Sequence, residues 1–181
     1  FASSAQKIWV DIDPAELDKP FPNVDMRIQA DLKTFMPDLL KAASSDSNKI
    51  NRSKWVDWCQ DINAKYTPKP DDYRISKGRI NPYHFVSALF DRLCSDDIVI
   101  CGNASATIIP YQIAKIKFGQ RLISNSGCAS MGYDLPAAIG AAIAAPDKRI
   151  ICIAGDGSIM MNIQDMITIK NYNLKILIFI L

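Results

Sequence analysis

Gly155-Asp156-Gly157-Ser158 combines a charge with the makings of an anion cradle. Arg149-Ile150-Ile151-Cys152-Ile153-Ala154 leads into it and reads as a buried strand. A helical run follows over residues 159–171, then an apolar run over residues 174–181. A strand that stops at a glycine turn and opens a helix places free backbone N–H groups where phosphates bind. A carboxylate inside such a turn repels a phosphate unless a cation stands between them. Asp156 therefore points to Mg²⁺ or Ca²⁺ bridging a carboxylate and a diphosphate. By composition alone, Gly-Asp-Gly-Ser is an ordinary turn. Its position between strand and helix, with two more small-residue loops upstream, carries the functional reading.

The elements that must position this turn are legible in the second half of the chain. Asn81-Pro82 is an N-cap followed by proline at the first helical position, and Phe85, Val86, Leu89, Phe90 and Leu93 continue with helical spacing. Ile98-Val99-Ile100-Cys101 is a buried strand closed by Gly102-Asn103, and a helix is expected from about Ala104 to Lys115. Arg121-Leu122-Ile123 is a short strand, followed by the small-residue loop 124–130. Met131 to Ala145 is read as one helix rich in Ala and Gly, suited to close packing on a sheet. Strand and helix alternate four times, which predicts an α/β fold with an open parallel sheet and helices on both faces. Three strand ends carry small-residue turns, at residues 102–105, 124–130 and 155–158. Ligands of such sheets bind outside the carboxyl ends of the strands, so the three turns are expected to converge on one ligand.

The first half reads as a remnant of a second α/β domain. Residues 7–13 form a short strand closed by Pro14, residues 21–29 are extended, and a helix follows from Ala30-Asp31, which Pro37 should restrict or kink. Residues 44–48 are small, polar and without periodicity, the best linker candidate. Asn51 or Ser53 caps a helix to about Lys65, with Trp55, Trp58, Cys59 and Ile62 on one face. The expected division is 1–42 as the end of one domain, 43–79 as a linker with one helix, and 80–181 as the diphosphate-binding domain.

Bulk composition excludes several classes. Of 181 residues, 49% are hydrophobic and 22% charged, as in ordinary globular domains. A net charge of +2 gives no strong pull toward nucleic acid or a membrane surface. Lys115, Lys117 and Arg121 read as a solvated patch, and His84, the only histidine, as a surface or packing residue. The five cysteines are odd in number and lack CxxC spacing, so they read as free buried thiols of a reducing, cytoplasmic compartment. No apolar run is long enough to span a bilayer. The first residue is Phe1, and the sequence stops at Leu181 on an apolar strand with no cap, so a fragment of a longer chain is expected.

Gly155-Asp156-Gly157-Ser158 followed by Met161-Asn162, and the run Ser126-Gly127-Cys128-Ala129-Ser130-Met131-Gly132-Tyr133-Asp134-Leu135-Pro136-Ala137-Ala138-Ile139-Gly140-Ala141, resemble the C-terminal domain of the acetolactate synthase-like family of thiamine-diphosphate enzymes. The resemblance covers about residues 80–181. Val10-Asp11-Ile12-Asp13-Pro14-Ala15-Glu16 resembles the end of that family's central domain. The resemblance implies thiamine diphosphate and Mg²⁺ as cofactors, with Asp156 as a metal ligand. A second ligand, an Asn, would follow the strand that ends at Leu181; Asn162, Asn171 and Asn173 are not that ligand. It implies diphosphate contacts at Gly102, Asn103, Ala104, Ser105, Gly155, Gly157 and Ser158, the last two through backbone amides and the Ser158 hydroxyl. Ser130 belongs to the cofactor loop, Met131 would wedge between the two rings, and Met161 would line the thiazolium side.

The same resemblance implies an enzyme, a lyase or transferase, acting on 2-keto acids by decarboxylation or carboligation. The cofactor's ylid attacks the keto carbonyl and its ring takes the electrons left by CO₂. The activating Glu belongs to an N-terminal domain, so no catalytic residue is expected within these 181 residues, and this piece alone is expected to be inactive. A homodimer or homotetramer is implied for the full-length protein. Acetolactate synthases carry a Gly-Gln-His type sequence where this chain has Gly102-Asn103-Ala104-Ser105, which leaves room for a decarboxylase or a sugar-related keto-acid enzyme. In relatives the central domain holds FAD, an ADP group or nothing; Asp11 and Asp13 do not by themselves make an FAD site. The alternative class is a non-catalytic nucleotide-binding α/β module. Asp156 in the turn and the lack of any GxGxxG argue against it.

Overall fold

The computed structural model describes residues 2–45, 50–70 and 78–181, and the chain divides into Phe1–Trp58 and Cys59–Leu181. Asp46, Ser47 and Asn48 of the expected linker lie outside the described residues, as do residues 71–77 of the charged stretch after the linker helix.

In the first unit, β1 (Ile8–Asp11) pairs in parallel with β2 (Met26–Gln29), Ile8 opposite Met26 and Asp11 opposite Gln29. The turn between them is set by Asp13, whose Oδ1 accepts from Ala15 N at 2.8 Å and caps α1 (Pro14–Leu17) with Pro14 at its first position. Asp11 Oδ1 accepts from Asp13 N at 2.9 Å, so both carboxylates shape the local turn. Helix α2 (Leu32–Ser45) runs through Pro37, at the loss of the one backbone bond that a Pro37 N–H would have made. None of its residues is buried. Helix α3 (Ser53–Tyr66) straddles the division between the units; Asn51 Oδ1 accepts from Ser53 N at 2.9 Å at its start. Trp55 and Trp58, one turn apart on α3, stack at 4.9 Å between ring centroids.

The second unit carries the expected sheet. Helix α4 (Pro82–Arg92) is capped by Asn81, whose side chain accepts from Tyr83 N at 2.9 Å. Then come β3 (Ile98–Cys101), α5 (Ser105–Ile113), β4 (Arg121–Ser124), α6 (Asp134–Ala144) and β5 (Ile150–Ala154). Helix α7 (Asp156–Met160), a 3₁₀ turn over Ile163–Asp165, α8 (Met166–Asn171) and β6 (Ile176–Ile180) complete it. All four strands are parallel, in the order β4-β3-β5-β6. The two central strands are buried at every position, which is why they read as unbroken apolar runs. Alternate residues feed two layers. Ile98, Ile100, Ile150 and Cys152 pack with Leu135, Ala138 and Ala142 of α6; Val99, Cys101, Ile151 and Ile153 pack with Val86 and Phe90 of α4 and Ile109 of α5. Among the described residues no helix is long and apolar enough to cross a membrane.

From β3 the chain goes outward to β4 and then back across to β5, so the connections after β3 and β5 leave in opposite directions. The crevice between these two strand ends is the topological switch point of the sheet.

Three boundaries differ from the sequence expectation. The helix expected from Met131 begins at Asp134, because Gly132 has φ of +80° and cannot continue a right-handed helix backward. The run 159–171 is not one helix. It starts early, at Asp156, and breaks at Asn162 (φ −133°), whose side chain reaches across to donate to Gly132 O at 2.5 Å. Helix α5 ends at Ile113, where Ala114 turns extended.

Cys101 and Cys152 lie fully buried on the two central strands. Burial pushes both thiols up, from 9.0 to about 12. Because the folded value is raised, this contribution to stability is full below pH 9.0 and is lost as the pH climbs toward 12. Cys94 and Cys128 are exposed. Alkylation at pH 8, read by mass spectrometry, should modify Cys94 and Cys128 promptly and leave Cys101 and Cys152 untouched until denaturant is added.

Candidate functional site

At the end of β3, Gly102 is held from three sides. Its N–H donates to Ile153 O of β5 at 2.8 Å, its carbonyl accepts from Thr107 Oγ1, and its Cα faces the Asp134 carboxylate. The next three residues are Asn103, Ala104 and Ser105, and among the described residues their backbone N–H groups find no acceptor. Ala104 and Ser105 are exposed, and Ser105 is the first residue of α5. Unpaired N–H groups at a helix N-terminus are the elementary anion receptor. Ala104 has φ 47° and ψ −129°, a conformation that glycine adopts freely and alanine does not. Replacing Ala104 with glycine should relieve this and raise stability by about 1 kcal/mol, read as a higher midpoint in urea unfolding.

At the end of β5, Gly155 is the extended cap of α7 and Asp156 its exposed first residue. Asp156 Oδ1 accepts from Gly157 N at 2.7 Å, and among the described residues its second oxygen has no hydrogen-bond partner. The Asp156 N–H faces Leu181 O at 3.3 Å, and Leu181 N donates to Ala154 O at 2.9 Å, so the end of β6 runs beside the acidic turn. Ser158 is buried, and its hydroxyl accepts from Gly132 N at 2.8 Å.

The three small-residue turns do converge. A Cβ placed on Gly155 would stand 3.9 Å from Asn103 Oδ1, so the turns after β3 and β5 are neighbours across the switch point. A Cβ on Gly157 would stand 3.2 Å from Met131 Cε, which brings Met131 onto the acidic turn. Asn103 Nδ2 lies 3.5 Å from Ala129 O, and Asn125 Nδ2 donates to Ser130 Oγ at 3.3 Å, tying in the third loop. Met161 packs against Gly132: a Cβ there would stand 3.1 Å from Met161 Cβ. Met131 and Met161 are both about half exposed.

A groove of about 470 Å³ adjoins the turn after β3, between Ala104, Ile108 and Tyr111 on one side and Asn125 and Ala129 on the other. A larger cleft of about 750 Å³ lies along α4 beside His84 and Asp91, and none of the three turns lines it. His84 is therefore away from the candidate site.

Two contributors were not legible in the sequence as site residues. Asn162 braces the third loop through Gly132, and Asp134 lies fully buried beneath Gly102. The available signal for Asp134 was a lone acid inside an otherwise apolar helical run.

The donor set suits a hard cation and an anion together. Among the described residues no three His, Cys, Asp or Glu side chains gather into a metal cluster. A cation at Asp156 would thus take one protein carboxylate and complete its shell with backbone, ligand and water oxygens, which is how Mg²⁺ is usually held beside phosphates. The free amides after β3 and the Ser158 amide, which also lacks an acceptor among the described residues, suit the phosphate oxygens.

Residues 102–181 match the family model for the thiamine pyrophosphate enzyme C-terminal TPP binding domain. The acetolactate synthase large subunit of Cyanidium caldarium is 34% identical over 100% of this chain, which covers 30% of that relative. A probable acetolactate synthase large subunit of Methanococcus aeolicus is 33% identical over 99% of this chain and 32% of its own length. The acetolactate synthase isozyme 2 large subunit of Escherichia coli (strain K12) is 30% identical over 100% of this chain and 31% of its own length. The chain spans just under a third of the curated relatives it matches.

Proposed function

We propose, for a chain that belongs to the acetolactate synthase-like family of thiamine pyrophosphate enzymes, that the switch-point crevice holds thiamine diphosphate with Mg²⁺ between its diphosphate and Asp156. The single observation that carries this is the placement of Asp156: among the described residues it is an exposed carboxylate with one unengaged oxygen, beside a row of unpaired backbone amides. Asn103, Ala104, Ser105 and Ser158 bind the phosphate oxygens by backbone N–H. Gly102, Gly155 and Gly157 keep the backbone close, and Met131 and Met161 supply apolar contact to the rings, with Ser130 at the loop's edge. When bound, thiamine diphosphate supplies the electron sink for carbanion chemistry on a 2-keto acid. The chain's own residues hold its phosphate end, neutralise it through the cation and shield one side from water.

The full-length protein is then a cytoplasmic homodimer or homotetramer that decarboxylates a 2-keto acid, or couples it to a second carbonyl, as a lyase or transferase. The domain division 1–42, 43–79 and 80–181 belongs to the same reading. The test is titration calorimetry of the full-length protein with thiamine diphosphate, with and without Mg²⁺, followed by pyruvate consumption. Magnesium-dependent binding and cofactor-dependent turnover are expected. Binding of NAD or ATP in place of thiamine diphosphate would overturn the proposal in favour of a nucleotide-binding module.

A further inference from the structure

Glycine stands at 102, where the backbone does not ask for it, and alanine at 104, where it does. Gly102 does not have a left-handed φ, so its conformation is open to any residue. What excludes a side chain is Asp134. Its Oδ2 lies 2.5 Å from the position a Cβ on Gly102 would occupy, with Asp134 Cβ and Cγ at 3.4 Å. Asp134 is fully buried at the start of α6. Its Oδ1 accepts from Leu135 N at 2.9 Å, while Oδ2 is the one buried side-chain oxygen or nitrogen among the described residues that lacks a hydrogen-bond partner. An unsatisfied buried oxygen weakens the fold, and an apolar side chain of similar size would avoid that loss. Asp134 therefore does something at this position other than stabilise.

We propose that Asp134 is a positioning residue for the anion-binding turn after β3, acting through Gly102. With its N–H held by Ile153 and its carbonyl by Thr107, Gly102 has one remaining direction of movement, toward α6, and the Asp134 carboxylate blocks it. That clamp fixes where Asn103 begins. It also holds Ala104 in its strained conformation, which persists only if its surroundings over-determine it. The consequence is that the unpaired amides of Asn103, Ala104 and Ser105 stay aimed into the crevice without a ligand to order them. The inference rests on the reading of this turn as a diphosphate site. It adds that α6 sets the geometry of a turn it is far from in sequence.

The experiment uses the full-length protein, Mg²⁺ and inorganic pyrophosphate in titration calorimetry, with thermal unfolding of each ligand-free variant. Asp134→Ala should weaken pyrophosphate binding about tenfold, the scale of a small misplacement of binding groups. Its thermal midpoint should hold or rise, since an unsatisfied oxygen has gone. Asp134→Asn, which keeps the shape, should bind within about twofold of the unsubstituted protein. Gly102→Ala should lower the thermal midpoint, and adding Asp134→Ala should restore it, because the clash is between those two side chains. Full affinity in Asp134→Ala, an Asp134→Asn as weak as Asp134→Ala, or no thermal rescue in the double variant overturns the inference alone. Failure of the unsubstituted protein to bind pyrophosphate with Mg²⁺ overturns the diphosphate reading and this inference with it.

Discussion

Replacing Asp156 with alanine in the full-length protein is expected to weaken magnesium-dependent binding of thiamine diphosphate about a hundredfold or more, with the fold intact. A carboxylate in direct contact with a divalent cation is the strongest single electrostatic interaction this site offers, and at the mouth of a crevice it is only partly screened by water. The cation in turn attracts the diphosphate, so both ligands lose affinity when the charge is removed. The fold is spared because Asp156 is exposed and, among the described residues, its side chain bonds only the next residue's amide. Asp156→Asn separates charge from geometry: its side-chain oxygen can still accept from Gly157 N, but the charge is gone, and about a tenfold loss is expected. Calorimetry across a series of Mg²⁺ concentrations reads this directly, because the variants should need more Mg²⁺ for the same occupancy. Equal affinity for thiamine diphosphate in Asp156→Ala and the unsubstituted protein would remove Asp156 from the metal site.

The second large effect is expected on stability, at Gly132. A side chain there meets two problems at once. The backbone has φ of +80°, which a non-glycine residue adopts at about 1–2 kcal/mol. A Cβ would also stand 2.7 Å from Asn162 Nδ2 and 3.1 Å from Met161 Cβ. Either Asn162 gives up its bond to Gly132 O or the loop shifts and breaks the bond from Gly132 N to Ser158 Oγ. Each such bond contributes about 1 kcal/mol, more when a buried partner is left unsatisfied. Gly132→Ala should therefore destabilise by about 3 kcal/mol in sum. Chemical denaturation of the full-length protein would show this as a lower midpoint with an unchanged slope. The same variant should lose cofactor affinity, because Ser158 and Met131 are both seated through this loop. A stability change under about 1 kcal/mol would show that the loop relaxes freely and does not brace the site.

The strands were legible because the central pair is buried on both faces. Ile98, Val99, Ile100 and Cys101, like Ile150 to Ala154, need no polar alternation, and glycine ends each run. Caps were legible for a similar local reason: Asn81 and Asn51 bond amides two residues away, a contact that sequence spacing alone dictates. The run after Ser158 reads as one helix because Ile159, Ile163, Met166 and Ile167 recur at helical spacing, while the break is tertiary. Asn162 leaves the helix to reach Gly132, thirty residues earlier in the chain. The start of α6 falls at Asp134, later than the sequence pattern suggests, for the reciprocal reason, since Gly132 takes its positive φ within that same contact.

The sequence by itself carried the reading of the chemistry proposed for this site. An acid between two glycines, after a buried strand and before a helix, points to a cation in any phosphate complex formed there, and that reading needs no tertiary contact. It also determined the parallel sheet, since strand and helix alternate in the second half. Only the tertiary structure decided that the turns after β3 and β5 face each other. The strand order β4-β3-β5-β6 makes neighbours of Asn103 and Gly155. Only the tertiary structure, too, set Asp134 beneath Gly102 and turned the Ser158 hydroxyl inward to Gly132. The reason is physical range. Charge, propensity and periodicity act within a few residues, whereas the clearance that makes a glycine necessary is set by whichever distant side chain packs against it.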